Sequence, residues 1–352
     1  MKPFNEISSI AFDIATEEQI RDLPHISFSK GDAINACPKW GIIRYVLGKK
    51  MASGRAMALE AGTASHDVFA ACRLIALLEQ QRETIGDSRS TDLFESEGRR
   101  LFKEPGRFDT MRSELDSGED DRTRQLNFCL AALHTNGFYD DPRDNRRTLV
   151  NIEESCMTYF DRMDFNLPVY YNEETGLVGI EQRFDLVVSF DDIQFIYSGL
   201  MDGIHRHKEG LRPHENKTSS RIGDAWFAGM EMSHQVTGYI VAGRLITKEY
   251  IDRAVVHGMA IPMPKTSKIN GVVHTTVHRN EDSITDWLRW LWDIWCTMEM
   301  YKDDPLNAPM YTRSCNRYFH PCAFIPLCNS PKENQEEFLQ EMIEENENDE
   351  HA

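Results

Sequence analysis

The sequence predicts an α/β protein in which helices flank a mixed central sheet. Apolar residues recur at helical spacing from about Ala64, and from Pro168 they alternate with polar residues as they do in strands. Beyond that point strand and helix patterns mix without strict alternation, which is typical of a mixed sheet. With 352 residues, 41% of them hydrophobic, the chain can bury the core of one large domain or two ordinary ones.

The N-terminal part is predicted to be helical. Serines at the start of residues 27–48 can cap a helix, and Pro38, directly after Cys37, is expected to end or bend it. A second helix is expected after a glycine turn at Gly62. Residues 82–166 are polar, charged and helix-prone, with a break in TNGFYDDPRDN, so we expect them to form a helical insertion.

From Pro168 the chain has the pattern of strands. LVGIEQRFDLVVSF, IQFIYSGLMDGI and RPHENKT are predicted strands, with the turn signals DD and KEG between them. DAWFAGMEMSHQVTGYIVAGRLI is predicted to be one long amphipathic helix, and RAVVHGMAIP and GVVHTTVHR are predicted strands. The last long helix carries four tryptophans that we expect in the core: Trp287, Trp290, Trp292 and Trp295.

These patterns divide the chain into five parts. They are an N-terminal helical part at 1–81, the helical insertion at 82–166, the α/β core at 167–305, a cysteine-containing segment at 306–330 and an acidic tail, expected to be disordered, at 331–352. The start, MKPFNEISSIAF, lacks a basic stretch followed by an apolar core, and no apolar run approaches the ~20 residues that cross a bilayer. We therefore expect an intracellular, soluble protein with no membrane partner.

The net charge of −18 argues at first against a nucleic-acid partner, because non-specific binding depends on cations that displace counterions from phosphate. Two features weaken that argument. Part of the acid lies in the tail KENQEEFLQEMIEENENDEHA, which is typical of a solvated terminus. Carboxylates that bind divalent metals also add formal charge that the ion cancels, so net charge alone does not decide the partner.

An acid and a base lie close together in the predicted hairpin. Because side chains alternate along a strand, Glu215 and Lys217 should point to one face and Asn216 to the other. The turn after the preceding strand should bring Asp202 alongside Glu215. Two neighbouring carboxylates repel unless neutralised, and their hard oxygens suit Mg²⁺ or Mn²⁺. Such a metal can polarise a phosphodiester and activate a water that Lys217 orients or helps to deprotonate.

Two further patterns lie near this group in the chain. Gln235 and Tyr239 are four residues apart, so both side chains should lie on one helix face. His66, in GTASHDVF, stands near the start of a predicted helix and is a candidate metal ligand. His205 and His207 alternate in the hairpin, which is also compatible with zinc binding, but we expect them on the surface.

Taken in order, these motifs resemble those of the PD-(D/E)XK nuclease superfamily and, within it, the RecB-like exonucleases. GTASHDVF matches the histidine motif, GIEQRFDL the strand with its glutamate, GLMDGI the aspartate, HENKT the E-x-K and QVTGY the helix motif. The resemblance covers about residues 25–330 apart from the insertion. It implies a restriction-endonuclease-like fold with a mixed central sheet.

The resemblance also implies roles for these residues. His66, Asp202 and Glu215 would be metal ligands, and the backbone carbonyl of Asn216 often adds another. Asp202 and Glu215 would thereby serve catalysis, with Lys217 as the catalytic lysine.

The remaining motif positions have less direct roles in the family. Gln235 and Tyr239 would position the substrate or the lysine, and Glu181 matches a recurrent acidic position whose role is less settled. Lys39, Arg44 and Arg55 are candidate contacts to a DNA backbone.

The eight cysteines fall into two groups, and disulfides are not expected inside a cell. Cys72, Cys129, Cys156 and Cys296 lie in apolar or amphipathic helical settings, where cysteine acts as a small hydrophobe.

The other four are expected to bind a metal group: Cys37, Cys315, Cys322 and Cys328. The resemblance includes a subgroup, among them the AddB and CRISPR-associated RecB-like nucleases, in which one N-terminal and three C-terminal cysteines hold a 4Fe-4S cluster. The spacings of the C-terminal cysteines are wider than C-x-x-C, which favours a cluster over tetrahedral zinc, although zinc stays an alternative. This wide spacing of the cysteines is more similar to that in phage or mobile-element exonucleases.

The sequence therefore predicts a Mg²⁺- or Mn²⁺-dependent DNA nuclease, an exonuclease on single-stranded ends, in the cytoplasm of a bacterium or a phage-infected host. A 4Fe-4S cluster would join the N- and C-terminal segments as a structural clasp. Two alternatives stay open: a CRISPR-adaptation nuclease that trims DNA, and a non-catalytic DNA-binding scaffold that keeps the nuclease fold. The sequence does not indicate a protein partner.

Overall fold

A computed structural model describes residues 2–50, 57–261, 271–317 and 320–344. The predicted α/β class, with helices flanking a mixed central sheet, is confirmed. The strands of the described residues are β1 Ile10–Ile14, β2 His25–Ser27, β3 Lys49–Lys50, β4 Tyr171–Asn172, β5 Leu177–Val178, β6 Ile180–Phe190, β7 Ile193–His207, β8 Gly210–Ser219, β9 Arg253–Ala260, β10 Val272–His278, β11 Asn316–Arg317, β12 His320–Pro321 and β13 Ile343–Glu344.

The helices vary from single turns to eight turns. They are α1 Glu17–Asp22, α2 Phe28–Ala36, α3 Pro38–Gly41, α4 Met57–Ile85, α5 Asp87–Leu101, α6 Arg107–Glu114, α7 Asp121–His134, α8 Leu149–Arg162, α9 Asp224–Glu231, α10 His234–Thr247, α11 Glu281–Tyr301, α12 Ile325–Asn329 and α13 Lys332–Gln340. Among the described residues, we find no helix whose length and apolarity would let it cross a bilayer.

The central sheet has seven strands in the order β1-β6-β7-β8-β9-β10, with β2 paired to β7. The pairs β1–β6, β7–β8 and β9–β10 are antiparallel, whereas β2–β7 and β8–β9 are parallel. The parallel step from β8 to β9 needs a crossover connection, and α9 and α10 provide it. The end of β8 is therefore followed in the chain by α9 and then by α10, which carries the QVTGY motif.

Contacts divide the chain into two units. The first comprises Met1–Ala56, Asp185–Gly199 and Glu281–Ala352, and the second comprises Met57–Phe184 and Leu200–Asn280. The predicted five-part division grouped Cys37 with His66 in one N-terminal part, whereas the two residues lie in different units. The insertion predicted at 82–166 forms α5 to α8 within the second unit.

The first unit is built around α11. Its four tryptophans are buried as expected, and Trp295 stacks on Phe195 with ring centroids 5.2 Å apart. Trp290 passes so close to α2 that a β-carbon on Gly31 would lie 2.5 Å from the indole, so only glycine fits there. The predicted break after α2 is also present, since Pro38 begins α3 as its first residue.

The second unit contains an extended apolar core, formed by α4 to α8 and the sheet residues beneath them. Helix α4 is buried along most of its length because alanines and small residues let it lie close to its neighbours. Three of the cysteines expected in apolar settings, Cys72, Cys129 and Cys156, are fully buried in this core.

Four details of the predicted elements are corrected. Gly62 lies inside α4 rather than in a turn before it, because one glycine costs a helix only ~1 kcal/mol and the surrounding alanines favour the helix. Strand β7 continues past Asp202 to His207. Strand β1, which has no buried residue, was not predicted from the sequence. The predicted long helix at 224–246 is two helices, α9 and α10.

The acidic tail is a further correction. Residues predicted to be disordered from 331 form α13, and β13 pairs with β3 in the first unit. Residues 345–352 lie outside the described residues. The tail thus adds ordered structure to the N-terminal segment as far as residue 344.

The packing of the insertion can be tested at Gly98 of α5. A β-carbon there would overlap the ring of Phe108, which is 2% exposed in the core. Gly98→Ala should therefore lower the free energy of unfolding by about 1–3 kcal/mol, measured by urea denaturation.

Gly229→Ala is the matched control for this substitution. It lies in α9 with no atom near its added methyl group, so it should raise stability by up to ~1 kcal/mol. A Gly98→Ala protein as stable as the wild type would contradict the described packing of α5 on α6.

Candidate metal centre

Three potential metal ligands converge in the second unit. His66 comes from α4, Glu181 from the start of β6 and Asp202 from the middle of β7. His66 Nδ1 lies 3.3 Å from Asp202 Oδ1, and the ligand atoms of all three residues lie within 4.8 Å of one another. No other described His, Cys, Asp or Glu residues form such a group of three. This group could hold a metal ion.

The backbone places Glu181 under constraint. Its φ is +44°, a left-handed conformation that costs a residue with a β-carbon ~1–3 kcal/mol and persists only where its surroundings require it. Burial, followed by the charge of Asp202, raises the pKa of Glu181 to about 8. Its buried Oε1 has no hydrogen-bond partner among the described residues. A buried acceptor beside two other ligands is what a cation site requires.

The β7–β8 hairpin forms as predicted. Gly203 pairs with His214, so Asp202 and Glu215 are the next residues on the two strands. The backbone N–H of Asn216 donates to Asp202 Oδ2 at 2.5 Å. Lys217 and Glu215 form an ion pair, which confirms that their side chains share a face.

Exposure differs across this group. Glu215 is 2% exposed, whereas the Lys217 side chain is 35% exposed and reaches solvent. Glu215 Oε2 is buried and has no partner among the described residues, although Oε1 pairs with Lys217. Glu181 Oε1 and Glu215 Oε2 are thus two buried carboxylate oxygens without a donor among the described residues, but Glu215, predicted as a ligand, lies outside the group of three within 4.8 Å, in which Glu181 takes part instead.

The charges in the group are strongly coupled. Burial opposes the charged form of His66, but Asp202 outweighs it and raises the pKa of His66 to about 9. Burial likewise would raise the pKa of Asp202, but His66, with Arg73 and Lys217, lowers it to about 2. Asp202 is therefore an anion and His66 a cation when no metal is bound.

The charges of Glu215 and Lys217 are coupled in the same way. Burial and the nearby Asp202 raise the pKa of Glu215, while the ammonium of Lys217 partly offsets them. Burial opposes the charge of Lys217, but Glu215 and Asp202 raise its pKa, so it stays protonated at neutral pH. Loss of either partner would leave a buried charge without compensation.

Gln235 and Tyr239 lie on one face of α10, as their spacing predicted. Gln235 Nε2 donates to the Tyr239 hydroxyl at 2.7 Å, and that hydroxyl donates to the carbonyl of Leu200 at 2.6 Å. The pair therefore holds α10 to β7 two residues before Asp202. This contact holds in place the part of β7 that carries Asp202.

Arg73 is a functional candidate that sequence reasoning missed. It is 1% exposed and crosses β7 at Gly203, where a β-carbon would lie 2.5 Å from its Nε. Its charge lowers the pKa of Asp202. It lies seven residues after His66, two helical turns along the same face of α4, and that spacing was the available signal.

The expected surface position of His205 and His207 is wrong for the first of them. His205 is 2% exposed and accepts a hydrogen bond from Arg73 Nε at 3.3 Å, while His207 is half-buried. His207 Nε2 lies 2.9 Å from His214 Nε2, and His257 Nε2 lies 3.1 Å from His214 Nδ1.

This histidine row has a physical cause. Helix α4 covers this face of the sheet, so alternate residues of β7 and β8 point into the protein rather than into water. Burial lowers the pKa of His205 and His214 well below the ordinary range, so both imidazoles are neutral.

The four predicted cluster cysteines all lie in the first unit. Cys37 is buried between α2 and α3, whereas Cys315, Cys322 and Cys328 are half-buried. Burial raises the pKa of Cys322 and of Cys328. Cys37 and Cys315 lie close enough to raise both pKa values further, so the four thiols lie near one another. The backbone N–H of Cys322 donates to the carbonyl of Cys315 at 2.8 Å.

The candidate DNA contacts are placed only in part. Lys39 lies beside the cysteines, where its charge acts to lower the pKa of Cys328, and the Arg44 guanidinium lies over the ring of Tyr45. Arg55 lies outside the described residues.

Comparisons with known proteins add little. No family model and no curated protein matches the chain. A crystal structure of SSO0001 is similar over 62% of this chain and 94% of its own, with 14% identity and a TM-score of 0.32. Scheffersomyces stipitis Rai1, in complex with 3'-NADP⁺ and calcium, matches 77% of this chain and 73% of its own at 12% identity and a TM-score of 0.19. Both TM-scores are too low to carry an argument.

The His66–Asp202 pair predicts a pH dependence of the metal-free protein. Because the pKa of His66 in the folded state is about 9, above its ordinary 6.5, the pair stabilises the fold fully below pH 6.5. This stabilisation is lost as the pH rises through 9. His66→Asn should therefore cost more stability at pH 6.5 than above pH 9, measured by urea denaturation in EDTA.

His278→Asn, at an exposed histidine that ends β10, is the control and should cost the same at both pH values. The ion pair would be disproved if His66→Asn had one constant effect across this range.

Proposed function

We propose that this protein is a metal-dependent nuclease of the PD-(D/E)XK superfamily that hydrolyses DNA, as an exonuclease on single-stranded ends. The observation that carries the proposal is the juxtaposition of two groups. His66, Glu181 and Asp202 could hold a metal ion, and the Glu215–Lys217 pair lies on the adjacent strand. The order of elements, from α4 through β6, β7 and β8 to α10 and β9, is the order that the sequence motifs led us to expect.

The donor set suits Mg²⁺ or Mn²⁺. Carboxylate oxygens dominate it and His66 adds one imidazole, a combination that hard divalent cations accept. Burial first, and the charge of Asp202 second, raise the pKa values of Glu181 and Glu215. A dication would relieve this repulsion. The imidazolium of His66 would have to release a proton before a ring nitrogen could bind the ion.

Each residue would have a distinct task. A bound metal would supply a water of lowered pKa and polarise a phosphodiester. Asp202 is held in place by the Asn216 N–H, which leaves its Oδ1 towards His66. Lys217 is protonated and partly exposed, so it would orient the water or stabilise the negative charge that develops on the phosphate oxygens. Tyr239 and Gln235 would fix β7, and so act as positioning residues.

Of the two alternatives, the non-catalytic scaffold has less support. A scaffold would have no need to keep the buried carboxylates of Asp202 and Glu215 together with half-buried Glu181 and a lysine, because buried charge costs stability. A nuclease that trims DNA for CRISPR adaptation would use the same site, so the site's geometry favours neither pathway.

We propose further that Cys37, Cys315, Cys322 and Cys328 hold a 4Fe-4S cluster. Cys322 and Cys328 pack against a small apolar core of Ile43, Phe324, Leu327 and Met342, and burial of this kind suits thiolate ligands of a cluster. Tetrahedral zinc would bring its four sulfurs within ~3.8 Å of one another, given Zn–S bonds of ~2.3 Å. No three of these thiols lie within 4.8 Å among the described residues, and a cubane, with an iron under each thiolate, tolerates the wider spacing.

The cluster would act as a clasp. Cys37 is separated from Cys315 by most of the chain, so joining them closes a long loop and removes much conformational freedom from the unfolded state. We assign it to stability rather than to electron transfer.

The nuclease proposal is tested by following a labelled single-stranded oligonucleotide, at its 5' and 3' ends, with Mn²⁺ or Mg²⁺. The wild type should degrade it and EDTA should stop the reaction. Lys217→Ala should lower the rate by roughly 10²- to 10⁴-fold. Asp202→Ala should abolish both activity and the stabilisation that Mn²⁺ gives in thermal denaturation.

Lys208→Ala is the matched control, since Lys208 is an exposed lysine in the turn of the same hairpin and should keep full activity. Equal activity in wild type, Lys217→Ala and Asp202→Ala proteins that remain folded would refute the assignment.

The cluster is tested by anaerobic purification. The wild type should be brown with a broad visible absorption band, and Cys322→Ser should bleach it and lower its thermal stability. Cys296→Ser, in α11 and outside the group of four, should keep the colour. A colourless wild type that carries one zinc per chain would reject the cluster in favour of zinc.

A further inference from the structure

Helix α9 is unusual for its composition. It carries Trp226, Phe227 and Met230, yet none of its eight described residues is buried. In the chain, the helix follows β8, which carries Lys217, and precedes α10, which carries Gln235. Trp226 and Phe227 are partly exposed to solvent, and adjacent apolar side chains that stay partly exposed can mark a binding site.

Strand register places Trp226 beside the catalytic strand. Lys217 pairs with Gly258 of β9, so the two residues face the same side of the sheet on strands about 4.8 Å apart. A β-carbon on Gly258 would lie 2.8 Å from the indole of Trp226. The indole therefore occupies the space of the missing side chain, next to Lys217.

The position of the helix is fixed by Arg279. This residue is 7% exposed, and its guanidinium donates to the carbonyls of Glu231 and Ser233 at 2.7 and 3.2 Å and to Thr237 Oγ1 at 2.7 Å. These bonds satisfy the carbonyl groups at the break between α9 and α10. The aromatic pair is thus presented on a rigid support, with Phe227 edge-on to Trp226 at 5.2 Å between ring centroids.

The charge of the chain indicates what such a support would bind. At a net charge of −18, long-range attraction contributes little to binding of a polyanion, so affinity must come from the metal site and from uncharged contacts. Aromatic rings bind unpaired bases by stacking, which tolerates any sequence because every base has a π-face and which needs no positive charge on the protein. Bases within a duplex are already stacked on each other and do not offer this face.

We propose that Trp226, supported by Phe227, stacks on an unpaired base next to the phosphodiester held at the metal site, so that the substrate is bound as a single strand. The inference rests on the proposed nuclease function for its class of substrate. It adds the residue that would distinguish a single strand from a duplex.

The test is binding of a fluorescent short oligothymidylate and of an abasic strand of equal length, measured by anisotropy in EDTA so that no cleavage occurs. Trp226→Ala should weaken binding of oligothymidylate by about 10-fold, and Trp226→Phe, which keeps a ring, by no more than about 3-fold. The abasic strand should bind weakly and equally to all variants.

Met232→Ala is the matched control, because this exposed apolar residue follows α9 and should not change binding of either strand. Unchanged binding of oligothymidylate by Trp226→Ala would overturn the inference. An equal loss on both strands would also overturn it, since that result indicates a phosphate contact or a general structural effect.

The two proposals can fail separately. Base-dependent binding through Trp226 without any metal-dependent cleavage by the wild type would refute the nuclease function and leave the stacking contact. Cleavage that is unaffected by Trp226→Ala, together with unchanged binding, would refute the stacking contact alone.

Discussion

The hydrogen bond from the Asn216 N–H to Asp202 is the interaction on which the candidate site depends. It joins β7 to β8 at the point where β7 carries Asp202, a candidate metal ligand, and β8 carries the Glu215–Lys217 pair. The same carboxylate accepts the imidazole of His66 on its second oxygen, so Asp202 ties α4, β7 and β8 together. A buried carboxylate with two such partners has little freedom to rotate, and pre-organised ligands lose less entropy when an ion binds.

Small residues let the surrounding elements reach this point. Gly203 admits Arg73 across β7, and Gly258 admits Trp226 across β9. Each glycine lies next to a residue of the candidate site, since Gly203 follows Asp202 in β7 and Gly258 pairs with Lys217. The absence of these two side chains therefore lets a cation and an aromatic ring approach the site.

The motifs that could be predicted from sequence were those with a short periodicity. The faces of Glu215 and Lys217, and of Gln235 and Tyr239, follow from alternation and helical spacing, and the core tryptophans follow from amphipathicity. The division between α9 and α10 could not be predicted, because it depends on Arg279, a residue distant in the chain. The burial of His205 was missed for a similar reason: only the tertiary cover by α4 decides which face of a hairpin meets water.

The histidine row behind the site has one further consequence. His214 uses both ring nitrogens, towards His207 on one side and His257 on the other. A neutral imidazole has one donor and one acceptor, so the tautomer of His214 dictates those of its two neighbours. Three side chains from three strands thus share a single two-valued state: the hydrogen bonds run either from His207 towards His257 or in the reverse direction, and a change of tautomer at one residue requires the same change at the other two.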